Sequence, residues 1–140
     1  MLASMILGAD GVQIGSRFAI SAESSAHPDF KKMVTKLGEG GTKLALKKLA
    51  PTRLVKNSFF EEIDKAEKEG LSAKEKMAIL GRGRAKKGIF EGDLDNGELE
   101  IGQVAGLIKE ILPVSQIMEN LLQEYHQIKN ELASDTRFLF

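Results

Sequence analysis

Gly15 and Ser16 are the residues whose types and spacing most clearly suggest chemistry in this chain. They follow a short segment, Val12-Gln13-Ile14, that has the composition of a β-strand. A glycine and a serine at the end of a strand present two consecutive backbone N–H groups and a hydroxyl, which can bind an anion. Glycine also lets a phosphate group approach the backbone closely, because no side chain is in the way. The pattern predicts a phosphate site, and a tight turn without a ligand is the alternative.

Two polar residues, Gln13 and Arg17, bracket the end of this otherwise apolar segment. Polar groups in a buried strand need hydrogen-bond partners. The edge of a bound cofactor or a neighbouring backbone can supply those partners. The residue types alone leave both interpretations open.

Residues 8–18 read Gly-Ala-Asp-Gly-Val-Gln-Ile-Gly-Ser-Arg-Phe. This segment resembles the flavin-phosphate loop of the nitronate monooxygenase family, formerly called 2-nitropropane dioxygenases, which includes the FMN-dependent enoyl-acyl-carrier-protein reductases. Members of that family have Gly-Ala-Asp, then Gly or Ala, Val-Gln, a hydrophobic residue, Gly, Thr or Ser, and finally Arg-Phe. The resemblance continues downstream at Gly92-Asp93 and at Gly102-Gln103.

The resemblance implies FMN as the cofactor and maps the binding of its phosphate onto Gln13, Gly15 and Ser16. In the family this segment is the last strand of a (β/α)8 barrel, a fold that takes about 250 residues. We therefore expect an α/β chain that is the C-terminal fragment of a TIM barrel. Residues 1–26 are expected to hold the tail of helix 7, strand 8 and its loop, and residues 27–140 a mainly helical C-terminal region.

The activity that the resemblance implies is the oxidation of alkyl nitronates with oxygen, in which the flavin carries the redox chemistry. The family's catalytic base and second phosphate loop would lie upstream of Met1, so no catalytic residue is assigned and the chain alone is expected to be inactive. The enoyl-acyl-carrier-protein reductase branch is one alternative, and a non-enzymatic helical module that binds a partner is another. The expected ligand is a small-molecule substrate, and an unpaired strand edge favours self-association.

The composition is that of a globular protein without a strong charge bias. The 140 residues include 20 basic and 20 acidic side chains, so no overall field attracts nucleic acid or an anionic membrane surface. The absence of cysteine excludes disulfides and thiolate metal sites. No apolar run reaches the roughly 20 residues that cross a bilayer. These observations favour a cytoplasmic protein without nucleic-acid, membrane or metal partners.

Apolar spacing and capping residues predict the elements around the candidate site. Helices are expected at 2–7, 28–37, 58–68, 72–80, 101–111 and 114–128, a strand at 11–15, and an apolar tail at Thr136 to Phe140. Asn57 or Ser58 should cap one of these helices, and Ser72 should open another with a capping box. The segment 43–50 fits either a strand or a helix, and Pro51 ends it.

The remaining polar motifs favour structural roles. His27 precedes a proline and is expected to cap a helix start or bond a loop carbonyl, while His126 lies on a solvated helix face. The basic loop 81–88 is expected to be flexible and solvated. Asp93 begins an acidic turn that does not fit the EF-hand spacing, so its carboxylate should accept hydrogen bonds from local N–H groups. Gln103 is expected to make a structural hydrogen bond, with contact to the ligand region as the alternative.

Overall fold

A computed structural model describes residues 1–134 as a mostly helical chain with one two-stranded hairpin. In order, the elements are α1 Leu2–Ile6, α2 Ser16–Ala19, α3 Pro28–Thr35, β1 Thr42–Ala45, β2 Thr52–Val55, α4 Ser58–Lys68, α5 Ala73–Leu80 and α6 Val114–Ser134. A π-helical turn at Lys86–Phe90 and a 3₁₀ turn at Gln103–Leu107 lie between α5 and α6. The apolar tail predicted at Thr136 to Phe140 lies outside the described residues.

The helix starts that depend on local capping are confirmed. The side chain of Asn57 accepts a hydrogen bond from the N–H of Phe60 at 2.9 Å, which caps α4. Ser72 and Glu75 form both bonds of the predicted capping box at the start of α5. α6 begins directly after Pro113 and runs further than expected, to Ser134.

The segment 43–50 forms a strand followed by a compact turn. β1 and β2 pair antiparallel, with Thr42 opposite Val55 and Ala45 opposite Thr52. Leu46 reverses the chain in the left-handed conformation, with φ of 55°, and its carbonyl accepts hydrogen bonds from two N–H groups further along the turn. This turn lets the chain form a hairpin in a segment whose leucines and lysines fit either a strand or a helix.

The strand predicted at 11–15 is wrong for this chain, because residues 11–15 have no regular secondary structure. A strand is stabilised by hydrogen bonds to a neighbouring strand. The only sheet within residues 1–134 is the β1–β2 hairpin, and it does not extend to this segment. The helix before it is confirmed at Leu2–Ile6, and Gly8 turns the chain with φ of 94°.

The helix predicted at 101–111 is also wrong, since only the 3₁₀ turn Gln103–Leu107 forms there. Of the five apolar positions that predict this helix, Ile101, Ala105 and Ile108 are buried, whereas Val104 and Ile111 are exposed. The N–H of Ile101 donates to the carbonyl of Arg53 in the hairpin, which holds the backbone in an extended conformation. Long-range pairing of this kind overrides helical periodicity.

Two apolar clusters form the core. The first cluster contains Ile20, Ala26, Phe30, Val34, Val55, Leu99, Ile101, Ala105 and Ile108. The second cluster contains Ala45, Leu46, Leu54, Phe59, Phe60 and Ile63. Leu54 and Val55 are consecutive in β2, so the hairpin joins the two clusters. Within residues 1–134, no helix has the length and apolarity that crossing a membrane requires.

Candidate functional site

The loop before α2 presents free backbone donors. Gly15 immediately precedes α2, and its carbonyl accepts hydrogen bonds from the N–H groups of Phe18 and Ala19, both at 3.0 Å. The N–H groups of Ser16 and Arg17 belong to the first helical turn and have no acceptor within the described part of the chain. First-turn donors of this kind are the groups that bind anions at helix starts.

The hydroxyl of Ser16 joins this loop to the 3₁₀ turn. Its Oγ accepts a hydrogen bond from the N–H of Gly102 at 3.0 Å. The hydroxyl proton of Ser16 therefore remains available for donation to a ligand. A Cβ at Gly102 would lie 2.5 Å from this Oγ, so the contact requires glycine. The structure thus brings together two motifs that lie 86 residues apart in the chain.

Arg17 has a structural role. Its guanidinium donates to the carbonyl of Glu110 at 2.7 Å, so a neighbouring backbone supplies its partner rather than the candidate anion site. The next residues extend the same contact, because the N–H of Ala22 donates to the carbonyl of Leu112 at 2.9 Å. The carboxylate of Glu23 then accepts from the first N–H of α6, that of Val114, at 3.0 Å. Residues 17–23 therefore fix the start of α6 beside the loop.

An open cleft of about 730 Å³ lies against the loop. Its lining includes Gln13, Gly15 and Ser16 of the loop, several residues between Val104 and Leu112, and Asn120 and Leu121 of α6. Gln13 is exposed, and its amide has no hydrogen-bond partner within the described residues. The three predicted site residues therefore share one cleft, although the strand expected to carry them is absent.

The arrangement fits a phosphate group. A Cβ placed on Gly15 meets no atom within 4 Å, so the space beside the free N–H groups of Ser16 and Arg17 is open. Two backbone donors and the Ser16 hydroxyl can all donate to phosphate oxygens. Gly15 and Ser16 therefore leave room and donors for the phosphate predicted from the sequence, and the Gln13 amide lines the same cleft.

Sequence reasoning missed Arg53 and Glu100, which lie close to the loop. They line a second cleft of about 420 Å³ that also includes Ser16 and Thr52. The guanidinium of Arg53 makes only long contacts to Thr42, at 3.4 Å. No local signal could place these residues beside Ser16, because Arg53 lies 37 residues further along the chain and Glu100 lies 84 residues further.

Glu98 is a second feature that the sequence did not reveal. Its side chain is 8% exposed. Burial and, to a smaller extent, the neighbouring Glu100 carboxylate raise the pKa of Glu98 to about 7, while the Arg84 guanidinium acts in the opposite direction. A glutamate between Gly97 and Leu99 gives no indication of burial, because its environment comes from residues that are distant in the sequence.

The basic loop 81–88 is more ordered than predicted. The guanidinium of Arg84 donates to the carbonyls of Leu80 and Asn96, both at 2.9 Å, and lies 4.6 Å from the ring centroid of Phe59. Its prediction as a solvated charge is wrong, since these contacts fix the side chain. In the same loop, Lys86 forms an ion pair with Glu91 at 3.2 Å, and Lys87 forms one with Asp93 at 2.9 Å.

The other polar motifs have the structural roles that the sequence predicts, except one. His27 Nδ1 accepts from the N–H of Asp29 at 3.2 Å and caps α3. His126 is exposed on α6. Asp93 accepts from the N–H groups of two residues in its turn, and these bonds together with Lys87 lower its pKa to about 2.

Gln103 is exposed and makes no side-chain hydrogen bond within the described residues, which contradicts the bond expected for it. In residues 1–134 no three acidic, histidine or cysteine side chains come close enough to hold a metal ion.

Known proteins resemble almost the whole chain. Residues 1–124 match a family model described as nitronate monooxygenase. A probable nitronate monooxygenase from Bacillus subtilis (strain 168) is 33% identical over 123 residues, which are 87% of this chain and 35% of the relative. The structure of FabK from Thermotoga maritima matches with a TM-score of 0.82 and 37% identity, over 94% of this chain and 42% of that one. A point variant of the same FabK matches with a TM-score of 0.77 and 33% identity, over 95% of this chain and 39% of the other. The chain therefore spans about two-fifths or less of the length of each relative.

Proposed function

The chain belongs to the nitronate monooxygenase family, a family of FMN-dependent oxidoreductases, and from that premise we propose that it holds the FMN phosphate in an enzyme that oxidises alkyl nitronates with oxygen. Bound FMN supplies the redox chemistry, in which electrons leave the nitronate and pass to oxygen. The contribution of this chain is to bind and orient the cofactor through its phosphate. The substrate is a small molecule, and no residue of the chain is assigned to proton transfer.

One observation supports the proposal most directly, namely the open space beside Gly15 and the free donors next to it. The N–H groups of Ser16 and Arg17 have no other acceptor within residues 1–134, and no atom lies within 4 Å of a Cβ on Gly15. A phosphate oxygen in this space would receive both N–H groups and the Ser16 hydroxyl. These are the donors that stabilise an anion at a helix start.

Neighbouring groups extend the site beyond the phosphate. The exposed amide of Gln13 lines the same cleft and can both donate and accept hydrogen bonds. Arg53 lines the adjoining cleft at Ser16 and brings a positive charge that favours an anion nearby. We propose that Gln13 contacts the cofactor and that Arg53 adds to the attraction for its phosphate.

The substitution Gly15→Val tests the proposal. The added side chain meets no protein atom at its Cβ, so the fold should be unaffected. Its methyl groups would occupy the phosphate space, so FMN affinity should fall at least about tenfold, equivalent to about 1.4 kcal/mol of binding free energy. Gly11→Val is the matched control, because Gly11 lies in the same loop, also meets no atom within 4 Å and does not line the cleft.

The measurement needs the rest of the barrel, because the chain spans 35% of the Bacillus subtilis relative. We therefore suggest a chimera in which residues 1–124 replace the matching segment of that relative, with FMN binding followed by flavin fluorescence. A folded chimera that retains no FMN would contradict the proposal, as would equal affinity in the Gly15→Val and Gly11→Val variants.

Activity assays on the chimera separate the alternatives. Oxygen uptake with an alkyl nitronate should be seen if the proposed reaction is right, and the 140-residue chain with added FMN should give none. Reduction of an enoyl thioester by a reduced pyridine nucleotide, without nitronate oxidation, would instead indicate the reductase branch. A chain that acts only as a helical interaction module would support neither reaction.

A further inference from the structure

A pocket lined by five lysines lies between the hairpin and the helices α4 and α5. Its volume is about 350 Å³, and every residue that lines it falls within 43–76. The charged residues of this pocket are Lys43, Lys47, Lys48, Lys68, Lys76, Asp64 and Glu67. None of them lines the two clefts at Ser16, so the lysine pocket is separate from the proposed FMN site.

Both carboxylates of the lysine pocket already have partners. Asp64 bonds the ammonium of Lys43 at 2.5 Å with one oxygen and that of Lys68 at 2.7 Å with the other. These two bonds lower the pKa of Asp64 to about 2. Glu67 accepts a hydrogen bond from the backbone N–H of Lys47 at 3.0 Å. The acids therefore help to fold the pocket and neutralise only two of its lysines.

The other three lysines have no carboxylate within 4.0 Å among the described residues, and Lys76 is the most unusual of them. Only 4% of its surface is exposed, yet its ammonium makes no hydrogen bond within residues 1–134. Lys31 offers an internal comparison, because it is 7% exposed and donates to the carbonyls of Ala22 and Ser24 at 3.1 and 2.7 Å. A mostly buried cation without a hydrogen-bond partner is costly unless water or an anion reaches it.

Lys76 is mostly buried, but its ammonium is not fully enclosed. Every fully enclosed side-chain nitrogen or oxygen in the described part of the chain has a hydrogen-bond partner. Because the Lys76 ammonium has none, it must keep some contact with solvent, and the lysine pocket is the space that Lys76 lines. A mostly buried cation thus opens into a small pocket that already contains two exposed lysines, Lys47 and Lys48.

The backbone holds these three lysines in place. The turn that carries Lys47 and Lys48 is closed by hydrogen bonds from the N–H groups of Leu49 and Ala50 to the carbonyl of Leu46, at 2.9 and 3.0 Å. Lys76 lies in α5, whose start is fixed by its capping box. The backbone positions of the three lysines are therefore fixed, so that binding a ligand requires only their side chains to reorder.

We propose that the lysine pocket binds a phosphate group, either as inorganic phosphate or as a phosphate monoester. A phosphate dianion matches three ammonium groups that have no carboxylate partner, and lysine is a common point-charge ligand for phosphate. The pocket uses no residue of the FMN loop, so the site is additional to the proposed oxidoreductase function and does not depend on it.

Titration of the 140-residue chain with inorganic phosphate tests the site, with amide chemical shifts as the readout and ionic strength held constant with chloride. We expect saturable shifts in residues 43–76. Lys76→Met removes the mostly buried charge, and the double variant Lys47→Gln with Lys48→Gln removes two exposed charges that make no ion pair among the described residues. Both should weaken phosphate binding at least tenfold.

Lys65→Gln is the control, because Lys65 lies on α4, is exposed, pairs with Glu69 at 3.9 Å and does not line the pocket. Equal weakening in this control would show that general surface charge attracts phosphate, and it would overturn the proposal. Shifts that do not saturate, or that equimolar chloride also produces, would overturn it as well. The double variant keeps the test decisive if Lys76→Met fails to fold.

A second titration, with ribose 5-phosphate, distinguishes the two sources of the phosphate group. Tighter binding of the ester than of inorganic phosphate identifies a monoester site, because the volume of the pocket then contributes contacts to the organic part. Equal or weaker binding identifies an inorganic phosphate site. Absence of any saturable shift with either probe rejects the site altogether.

Discussion

Two regions of the chain differ in how deeply their side chains are buried. They are residues 1–19 and residues 26–108, and the second of these is the supporting region. No side chain among residues 1–19 is buried, although this segment contains the proposed FMN loop. Residues 26–108 contribute almost all of both apolar clusters. Residues 26–108, the supporting region, therefore carry most of the core, whereas no side chain of the proposed binding loop is buried.

The hydrogen bonds show the same contrast. Two side chains, those of Ser16 and Arg17, tie the loop to the later chain. The supporting region is held by backbone pairing in the hairpin and by polar side chains placed at its centre. Asn57 is an example of such a side chain. Its Nδ2 donates to the carbonyls of Leu94 and Gly97, at 2.8 and 2.9 Å, and its Oδ1 caps α4.

Amide hydrogen exchange should reveal the contrast with the largest effect. The N–H of Val55 donates to the carbonyl of Leu99 inside the core, so it should exchange at least about a thousandfold more slowly than an unstructured amide. Amides of residues 12–17 should exchange close to the unprotected rate. Strong protection of 12–17 in a monomer would contradict the contrast and show that the loop is stable by itself.

The same exchange measurement, repeated over a concentration series, tests the self-association predicted from the sequence. Protection of 12–17 that appears only at high protein concentration would mean that copies of the chain cover the loop for one another. Sedimentation would then show an oligomer. A monomer at all concentrations, with unprotected 12–17, would leave the loop exposed and contradict self-association.

The substitution Gly97→Ala should break the supporting region. Gly97 and Gly88 pack backbone against backbone, and a Cβ on Gly97 would overlap the Cα of Gly88 and the carbonyl of Asp93. Overpacking that only the backbone can relieve should lower the free energy of unfolding by about 3 kcal/mol. Gly38→Ala is the control, because a Cβ there meets no atom within 4 Å. Similar urea midpoints for the two variants would show that the glycine contact is not needed for packing.

Features that depend on neighbouring residues in the sequence could be predicted, and those that depend on distant ones could not. The caps at His27, Asn57 and Ser72 each need only residues within three positions, and all three were recognised. The strand predicted at 11–15 has no neighbouring strand to pair with in residues 1–134, and the helix predicted at 101–111 is prevented by the pairing of Ile101 with the hairpin.

The candidate site shows the same division. Its loop residues could be recognised from their order, and Gly102 was identified only as part of a motif. Its hydrogen bond to Ser16, the approach of Arg53 and the burial of Glu98 and Lys76 arise from the tertiary fold. A lysine or a glutamate in a polar segment has no sequence pattern that predicts an enclosed position, so these groups became visible only in the structure.

The smallest expected effect concerns pH and Glu98, whose environment lies wholly inside the supporting region. Its pKa rises from the ordinary value of 4.5 to about 7 in the folded chain, chiefly because of burial. The folded state then binds the Glu98 proton more tightly than the unfolded state. This contribution to stability is fully present below pH 4.5 and is lost as the pH rises through 7. Asp64 and Asp93, with pKa values of about 2, act in the opposite direction and only at lower pH.

Glu98→Gln, which cannot titrate, should therefore gain stability relative to the wild-type chain between pH 5 and pH 8. Urea unfolding at the two pH values measures that gain, and Glu61→Gln on the exposed face of α4 should show none. Adding Gly15→Val to Glu98→Gln should leave the gain unchanged, because the loop takes no part in burying Glu98. A gain that depends on the loop substitution would mean that the two regions are energetically coupled. The supporting region would then not be self-contained, and the contrast between the two regions would fail.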